Sequence, residues 1–473
     1  MVDGREEYHL EALFYSPLTT VAPVLYRHET LQDLEKREVR SCVEDFSERM
    51  QEVRTHLIRA AKLRHKYETE RWFLDAAEAY VTAVNTLKEE LMLCELDSRA
   101  LAGLREYLET YAHSSDFSTF AVETQKMRDN LASVAYRVHI RGSRVEVGAY
   151  DGEPDYTPEV ERTFAKFRQG DVDDYTVKYV DRVGMNHIEA RILNLVVRLN
   201  PAVFSALDDY CVRHETFLDD TIVRFEREVQ FYLAYLEFIG RFKAAGLSFC
   251  YPQVSSGSKD IYAREAFDVA LANTLVSGKQ IVCNDFHLEG AERILVVTGA
   301  NQGGKTTFAR MFGQLHYLAS LGYPVPGSEA RLFLPDQILT HFEREEDVET
   351  LQGKLESDLV RIRDILQRAT SSSVVILNEL FSSTTVKDAL VLVAAVMSQI
   401  RELDLLGVCV TFLDEIASLG ESTVSMVGMV DSEDPSVRTY KVVRRPADGR
   451  AYAMALAAKY GLTYPQLRER VTS

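Results

Sequence analysis

The chain has 473 residues, of which 46% are apolar and 27% are charged, and this composition is ordinary for a globular protein of about two to four domains. The net charge of −18 excludes a uniformly basic nucleic-acid binder, although one domain can still carry a local basic surface. The six cysteines are scattered without a CxxC pair, which argues against zinc and predicts reduced thiols in a cytoplasmic protein.

The start of the sequence, MVDGREEYHL, lacks the apolar core of a signal peptide. The longest apolar run, Ala389 to Met397, is too short to span a bilayer and predicts a buried helix. We therefore expect no membrane partner.

From about residue 30 to residue 130 the chain is charged and poor in Gly and Pro, which predicts long helices. Two apolar series recur at alternating spacings of four and three residues: Val39, Val43, Phe46, Met50, Val53 and Leu57, then Phe225, Val229, Tyr232, Leu236 and Ile239. Such a series is typical of helices in a bundle or of an intermolecular coiled coil. Because each series is short, we favour the bundle.

The stretch YRVHIRGSRVEV, Tyr136 to Val147, has the pattern of a β-hairpin that turns at Gly142-Ser143. The pairing places two apolar couples on one face, Ile140 with Val145 and Val138 with Val147. The opposite face then carries three basic side chains, Arg137, His139 and Arg141. We favour a half-buried hairpin with a solvated charged side, and the alternative is a small phosphate-binding patch.

The next segment, DGEPDYTPEV through QGDVDDY, is acidic and contains Pro and Gly, which predicts a loop or a boundary. From about Tyr251 onward, apolar runs alternate with helical stretches: ILVVTG before a helix from Thr306, VVILNE before a helix from Lys387, then GVCVTFL. This alternation predicts an α/β domain around a mainly parallel sheet. We therefore expect a helical domain over residues 1–250 and an α/β domain over residues 251–473.

The strongest motif is ILVVTGANQGGKTTFAR, which fits the pattern G-x-x-x-x-G-K-[ST] after the buried strand Ile294 to Val297. Its glycines let backbone N–H groups turn toward phosphate oxygens. Lys305 can bring a cation to the β and γ oxygens, and the Thr306 hydroxyl can bind magnesium. The motif predicts an ATP–Mg²⁺ site formed by Gly299, Asn301, Gly303, Gly304, Lys305, Thr306 and Thr307.

The stretch VVILNELFSSTTVKDAL, Val374 to Leu390, predicts a buried strand that delivers polar side chains to this site. Most ATPases carry an Asp-Glu pair at the end of this strand, whereas this chain has Asn378-Glu379. Glu379 is the candidate catalytic base or water-positioning group, although a structural Glu at a strand end fits the same pattern. Asn378 keeps an oxygen that can order a magnesium-bound water but brings no charge.

At this point the sequence resembles a known family, because TGANQGGKTTFAR is similar to the TGPNMGGKST loop of the MutS mismatch-repair ATPases. Further segments resemble that family: Asn284-Asp285, Leu321 to Thr340, NELFSSTTVKDA, and Ala451 to Val471. In the family, the last of these is a helix–turn–helix that helps to join two subunits. The likeness is specific from about Ile281 to Val471 and only architectural over the first 250 residues, where long helices resemble the MutS core and lever.

The chain departs from the family at several positions that carry chemistry. The nearest counterpart of the mismatch-reading Phe-x-Glu is Phe14-Tyr15-Ser16, which lacks the glutamate. The family's Thr-His becomes Thr411-Phe412, its Gly-Arg-Gly becomes Phe381-Ser382-Ser383, and its Walker B Asp becomes Asn378. The resemblance therefore implies a shortened, divergent homologue that lacks the N-terminal mismatch-reading domain.

The resemblance also implies a homodimer with two composite ATP sites, in which ATP closes the ATPase domains and moves helical arms that engage DNA by structure rather than by sequence. LQGKLESDLVRIR, Leu351 to Arg363, aligns loosely with the family's signature helix, which reaches the partner's nucleotide. Its start near Gly353 and Lys354 is the candidate contact, and an ordinary surface helix is the alternative.

The sequence thus predicts an α plus α/β protein: a long-helix bundle with a small β-hairpin, then a P-loop ATPase domain with a C-terminal helix–turn–helix. As a function we expect a slow ATPase that engages mismatched, branched or damaged DNA, in the mismatch repair and recombination class. The alternative is a nucleotide-gated scaffold with negligible turnover. A P-loop machine of the ABC or chromosome-maintenance type is disfavoured, because no LSGGQ-like signature precedes the Walker B strand.

Overall fold

The computed structural model describes residues 5–142, 144–152, 154, 158–159, 162–163, 184–275, 280–342, 353–434, 437–447, 460, 462–465 and 467–468. In chain order the α-helices are α1 (Glu11–Phe14), α2 (Val21–Glu35), α3 (Arg37–Lys62), α4 (Lys66–Leu93), α5 (Arg99–Ala112), α6 (Ser115–Ala132), α7 (His187–Leu199), α8 (Pro201–Arg213), α9 (Asp220–Ala244), α10 (Val269–Leu275), α11 (Lys305–Ser320), α12 (Lys354–Arg368) and α13 (Val386–Glu402). Short 3₁₀ helices cover Glu6–Tyr8 and Asp414–Ser418.

The strands are β1 (Tyr136–Arg141), β2 (Arg144–Ala149), β3 (Phe249–Cys250), β4 (Gln253–Ser255), β5 (Ile261–Ala266), β6 (Asn284–Leu288), β7 (Ile294–Gly299), β8 (Val325–Pro326), β9 (Glu329–Phe333), β10 (Ile338–His341), β11 (Val374–Asn378), β12 (Leu406–Val410), β13 (Thr423–Val430) and β14 (Arg438–Arg444). The largest sheet has six strands in the order β10-β11-β12-β7-β13-β14, and all neighbours in it are parallel except β13 and β14. A second sheet has the order β4-β9-β5-β6, and β3 pairs with β8.

The six-stranded sheet confirms the predicted α/β architecture with a mainly parallel sheet. Strands β7, β11 and β12 are almost wholly buried, as expected for parallel strands that are covered on both faces. Phe381 lies in one apolar cluster with Val393 and Met397 of α13. Because β7 lies between β12 and β13, the turn that follows it is at the centre of the sheet edge.

The chain forms two compact units, which differ from the domains predicted with a boundary at residue 250. Unit 2 is the continuous stretch Asp33–Arg227, and unit 1 joins the residues up to Gln32 with those from Glu228 onward. Both divisions fall within helices, α2 and α9. Within unit 1, the Tyr235 ring stacks on Tyr323 with centroids 3.8 Å apart, and the Tyr235 hydroxyl donates to the Pro324 carbonyl at 2.5 Å. These contacts, which link segments distant in sequence, place the end of α9 in unit 1.

Unit 2 confirms the predicted helical bundle. In the first apolar series Val39, Val43, Phe46, Met50 and Val53 are all buried within the chain itself. The Phe46 ring lies 5.8 Å from that of Phe225, which begins the second series. The buried positions therefore pack within a bundle, and an intermolecular coiled coil is not needed to cover them.

The predicted hairpin is present with the predicted register, because Ile140 lies opposite Val145 and Val138 opposite Val147. The expectation of a half-buried hairpin was wrong for β1, all of whose residues are exposed. Ile140, for example, exposes 72% of its surface. The alternation of apolar residues set the pairing, but a two-stranded ribbon has no second layer of its own to cover that face.

Several predictions fall outside the described residues. They include most of the acidic segment after the hairpin, and about two thirds of the helix–turn–helix expected at Ala451 to Val471. No single helix within the described ranges combines the length and apolar character needed to cross a membrane. The bent pair of α7 and α8, with an angle of 103° between them, meets both criteria only when the two helices are taken together.

Candidate nucleotide-binding site

The loop between β7 and α11 adopts a conformation that requires glycine. Gly299 and Gly304 have φ angles of 113° and 92°, in the left-handed region that favours glycine. A Cβ atom at Gly299 would lie 2.8 Å from the Gly428 carbonyl oxygen of β13, which is too close. Helix α11 begins directly after Gly304, so its N-terminal N–H groups face the loop. The predicted strand–loop–helix is therefore present.

Lys305 is buried at the start of α11, and its ammonium group lies over the loop. Its Nζ donates to the Gly299 carbonyl at 2.9 Å, to the Ala300 carbonyl at 3.3 Å and to Asn301 Oδ1 at 3.3 Å. Burial lowers the pKa of this ammonium, the nearby charge of Glu379 opposes the shift, and that of Arg438 adds to it. A cation held only by neutral carbonyl and amide oxygens is suited to bind an anion.

The end of β11 brings Asn378 to the same place. Thr306 Oγ1 donates a hydrogen bond to Asn378 Oδ1 at 3.0 Å, and Asn378 is buried. Glu379 follows with a φ of 52°, and its N–H donates to the Val410 carbonyl at 2.9 Å. The left-handed backbone turns the chain out of the strand at Glu379, and the residue lines the cavity at the loop.

The oxygen atoms at this point suit a magnesium ion, although the side chains that supply them carry less negative charge than is usual for such a site. Magnesium prefers oxygen ligands and commonly uses one or two carboxylates together with substrate phosphates. The Thr306 hydroxyl and the Asn378 amide oxygen are neutral donors, and Glu379 is the one carboxylate among the described residues that line the cavity. No group of three or more His, Cys, Asp or Glu suited to a metal occurs in the described ranges. The set fits magnesium bound mainly through nucleotide phosphates.

A cavity of about 440 Å³ opens beside the loop, a volume within the usual range for small-molecule sites. Of the predicted site residues, Asn301, Gly304, Lys305, Thr306, Thr307 and Glu379 line it. Gly303 is buried within the loop turn, where its N–H donates to the Ala300 carbonyl at 3.1 Å. The apolar part of the lining was not predicted: Leu271, Leu275, Ile281, Val282 and Tyr440. The cavity thus combines a polar, cationic loop with apolar side chains that can contact a ring.

Asn284 fixes this apolar wall. Its buried side chain donates from Nδ2 to the Tyr440 carbonyl at 3.2 Å and accepts from the Val442 N–H at 2.7 Å. These hydrogen bonds join β6 to β14 and hold Tyr440, which has a φ of 59°, beside Gly304. Asn284 was identified only through its likeness to the family's Asn-Asp pair. The structure shows it as a positioning residue for the cavity.

The remaining departures from the family pattern have clear places in unit 1. Phe381 is fully buried with a φ of 55°, whereas Phe412 is 45% exposed and Thr411 is buried. Phe14 is partly buried, and its ring lies 5.0 Å from that of Phe231 within unit 1. Gly353 caps the N-terminus of α12, whose first residue is Lys354. Contact of this terminus with a partner stays a prediction.

Comparison with known proteins agrees with this geometry. Residues 295–468 match the family model for MutS domain V. The chain is 29% identical over 210 residues to the DNA mismatch repair protein MutS of Shouchella clausii, covering 42% of this chain and 24% of that protein. It is 26% identical over 267 residues to MutS of Lactobacillus helveticus, with coverages of 53% and 31%. It is 29% identical over 183 residues to Endonuclease MutS2 of Thermus thermophilus, with coverages of 38% and 24%. The chain thus matches less than a third of the length of each relative.

Proposed function

Because the resemblance to the MutS family is confirmed, with residues 295–468 matching MutS domain V, we propose that this protein binds ATP with magnesium, hydrolyses it slowly and couples its nucleotide state to DNA binding. The observation that carries the proposal is the position of Lys305 Nζ on the carbonyls of a glycine-dependent loop, beside the bond from Thr306 to Asn378. The relatives named for DNA mismatch repair support the DNA part of the proposal.

The nucleotide would bind with its phosphates at the loop and its base toward the apolar wall. The loop N–H groups and the N-terminus of α11 would bind phosphate oxygens, and Lys305 would exchange its carbonyl contacts for the β and γ oxygens. Leu271 and Tyr440 would contact the base across the cavity. Apolar and aromatic side chains suit a flat purine ring, and the polar end fixes its orientation.

Glu379 would orient the water that attacks the γ-phosphate. It is the carboxylate of the described cavity lining, and its left-handed backbone leads it out of β11 toward the phosphate end. Thr306 would hold magnesium through its hydroxyl, with Asn378 ordering a bound water; the ion would neutralise charge on the β and γ oxygens. Since Asn378 supplies a dipole and no charge, we expect this arrangement to hydrolyse ATP slowly.

Unit 2 carries the surface best suited to a nucleic acid. Residues 54–71, around the turn between α3 and α4, contain six Lys or Arg against two Glu in a chain whose net charge is −18. Arg59, Lys62, Arg64 and Lys66 are exposed, and Arg59 lies over the Trp72 ring at 4.9 Å. Residues 184–185 contact this turn through Leu63 and Glu68, and α7, which follows them, packs against β2 of the basic hairpin. This local basic surface would bind phosphates without reading bases.

The active form would be a homodimer in which each ATP site is completed by the partner. Gly353 and Lys354, at the N-terminus of α12, are the candidates for contact with the partner's nucleotide. Residues 451–471 would join the subunits as a helix–turn–helix. ATP binding would then close the two ATPase domains and alter the position of the helical units.

One observation favours a second candidate function. The neutral Asn378, where most ATPases carry a carboxylate, fits a nucleotide-gated scaffold that binds ATP and hydrolyses almost none of it. Both functions share the binding site and differ only in turnover. The scaffold would keep its nucleotide-dependent shape without the contribution of Glu379 to catalysis.

The test is nucleotide binding and phosphate release with no DNA and with duplex, mismatched and branched DNA. Wild type should bind ATP, and Lys305→Ala should lose most of that affinity, because a desolvated cation–phosphate interaction is removed. Glu379→Gln keeps the size of the side chain and should abolish turnover while ATP binding persists. Unchanged affinity in Lys305→Ala would refute the nucleotide site. Binding without turnover under any DNA condition would favour the scaffold.

A further inference from the structure

Strand β14 brings a second cation to the phosphate loop. Arg438, its first residue, donates from Nε to the Asn301 carbonyl at 3.0 Å. On the other side, Lys305 Nζ lies 3.3 Å from Asn301 Oδ1. One residue of the loop therefore contacts both cations, although Arg438 is 133 positions after Lys305 in the sequence (438 − 305 = 133).

The position of Asn301 indicates which phosphate Arg438 can reach. In loops of this type the lysine extends to the β and γ oxygens, so the atoms that hold its ammonium group before binding mark that end of the site. Asn301 Oδ1 is one of those atoms. Since Arg438 contacts the main-chain carbonyl of the same residue, its guanidinium would lie nearer to the terminal phosphate of a bound nucleotide than to the base.

The strand that carries Arg438 is fixed against the loop. Gly428 of β13 lies opposite Gly299, and β13 pairs with β14. At Tyr440, two residues after Arg438, the Cα atom is 3.7 Å from the position a Cβ would take on Gly304. Asn284 binds the backbone on both sides of Lys441, at Tyr440 and Val442. Arg438 is therefore presented by an anchored strand, as a preorganised binding group requires.

The site carries more positive than negative side-chain charge near the loop, which favours the binding of an anion. Burial lowers the pKa of Lys305, and the positive charge of Arg438 is among the causes that lower it further. The described cavity lining offers Glu379 as its one carboxylate, and Asn378 is neutral. Each added phosphate brings negative charge close to two cations, Lys305 and Arg438. Without the negative charge of a Walker B aspartate, the electrostatic attraction of the site for the third phosphate of ATP is stronger.

We propose that Arg438 binds the terminal phosphate in cis and is the residue by which this site distinguishes ATP from ADP. The inference rests on the proposed function, because it assumes a nucleotide in the loop. The guanidinium forms a planar fork that can contact two phosphate oxygens, which a lysine at this position could not reproduce. Binding of the γ-phosphate by Arg438 would then be coupled to the position of β14, and through the hydrogen bonds of Asn284 to that of β6.

The test is calorimetric titration of the full chain with ADP and with an imido analogue of ATP that resists hydrolysis, both with magnesium. Arg438→Gln should weaken the triphosphate about tenfold or more and ADP by less than about twofold, because only the former has a terminal phosphate for the guanidinium to bind. The triphosphate affinity of Arg438→Lys should lie between that of wild type and that of Arg438→Gln. Arg444→Gln is the matched control, since Arg444 lies at the far end of β14 and pairs with Glu292.

The outcomes separate this inference from the proposed function. Equal weakening of both nucleotides by Arg438→Gln would identify Arg438 as a tether of the loop and overturn the inference. Unchanged affinities would overturn it too, and in both cases binding by wild type would leave the proposed function standing. If wild type binds neither nucleotide, both fail together. Thermal unfolding of each variant without nucleotide confirms that the affinities refer to folded protein.

Discussion

Thr306 Oγ1 and Asn378 Oδ1 lie 3.0 Å apart, so the hydroxyl that would bind magnesium is hydrogen-bonded to a neutral amide. We expect Asn378→Asp to raise turnover and to lower the magnesium concentration needed for half-maximal activity, because a carboxylate adds negative charge beside the metal. Phosphate release measured against magnesium concentration checks this. Asn378→Ala is the control, since it removes the oxygen and should shift the dependence the other way. An unchanged magnesium midpoint in Asn378→Asp would contradict the role of Asn378 as a brake.

Asn284 offers a test of how the apolar wall is held. Asn284→Ala leaves the Tyr440 carbonyl and the Val442 N–H without their side-chain partner, which should cost about 1–3 kcal/mol of folding free energy. Nucleotide affinity should fall as well, because Tyr440 would no longer be fixed beside the loop. Asn284→Asp keeps the acceptor for the Val442 N–H but loses the donor to the Tyr440 carbonyl. Its stability and nucleotide affinity should therefore lie between those of wild type and Asn284→Ala. Urea unfolding and nucleotide titration measure the effects; full affinity in Asn284→Ala would show that Tyr440 needs no support.

The basic turn of unit 2 predicts DNA binding that depends on salt and ignores mismatches. Lys62→Ala with Arg64→Ala should weaken matched and mismatched duplex alike, and should reduce the slope of log affinity against log salt by roughly 0.9 for each phosphate that is no longer neutralised. Wild type should also bind both duplexes equally, because Phe14-Tyr15-Ser16 lacks the glutamate of the mismatch-reading motif and the Phe14 ring packs on Phe231. Lys126→Ala on α6 is an exposed control outside the turn. A strong preference for a single mismatch would reveal a base-reading element elsewhere.

The C-terminal segment should determine assembly. Removing residues from Gly449 onward should shift the protein toward monomer and slow any ATP turnover, because each site would lose its partner. Light scattering across a range of protein concentrations reports the mass directly. A truncated protein that remains dimeric would place the subunit contact in another part of the chain.

Two buried histidines predict acid sensitivity of unit 1. Burial lowers the pKa of both His28 and His316 from 6.5 to about 4, so both are neutral in the folded protein at pH 7. Below pH 6.5 the unfolded chain binds the protons first, and stability is lost progressively as the pH falls toward 4. Each histidine should account for about 3 kcal/mol over that interval.

Urea unfolding between pH 7 and pH 5, where most carboxylates stay ionised, measures this loss. His316→Leu should reduce the slope of stability against pH, whatever it does to the stability at pH 7. A stability that stays constant over this range would contradict the lowered pKa values.

The features predicted correctly from the sequence depend on short stretches of chain. The glycine turn between β7 and α11 follows from conformations that are needed locally, as at Gly299, and the hairpin register follows from alternation around one turn. The exposure of Ile140 could not be inferred, because alternation specifies a face but not what covers it. The apolar wall of the cavity was missed for a related reason. Leu271 and Tyr440 come from segments without a motif, and only the tertiary fold brings them together.

The compact units divide at other places than residue 250 for the same physical reason. The apolar series in α9 is continuous and gives no sign that its two ends have different partners. Phe225 packs on Phe46, whereas Tyr235 stacks on Tyr323. Contacts between residues so distant in sequence carry no local signal, so a helix that serves two units looks like one element of one domain.

The discontinuity of unit 1 has a consequence for synthesis on the ribosome. Unit 2 is one unbroken stretch of chain, so all its partners exist once Arg227 has been made. The opening segment must wait much longer, because the Phe14 carbonyl accepts from Tyr317 and the Leu18 N–H donates to the Ser320 carbonyl. About 300 residues therefore emerge before these first residues can dock. During that time the helical unit can fold ahead of the sheet.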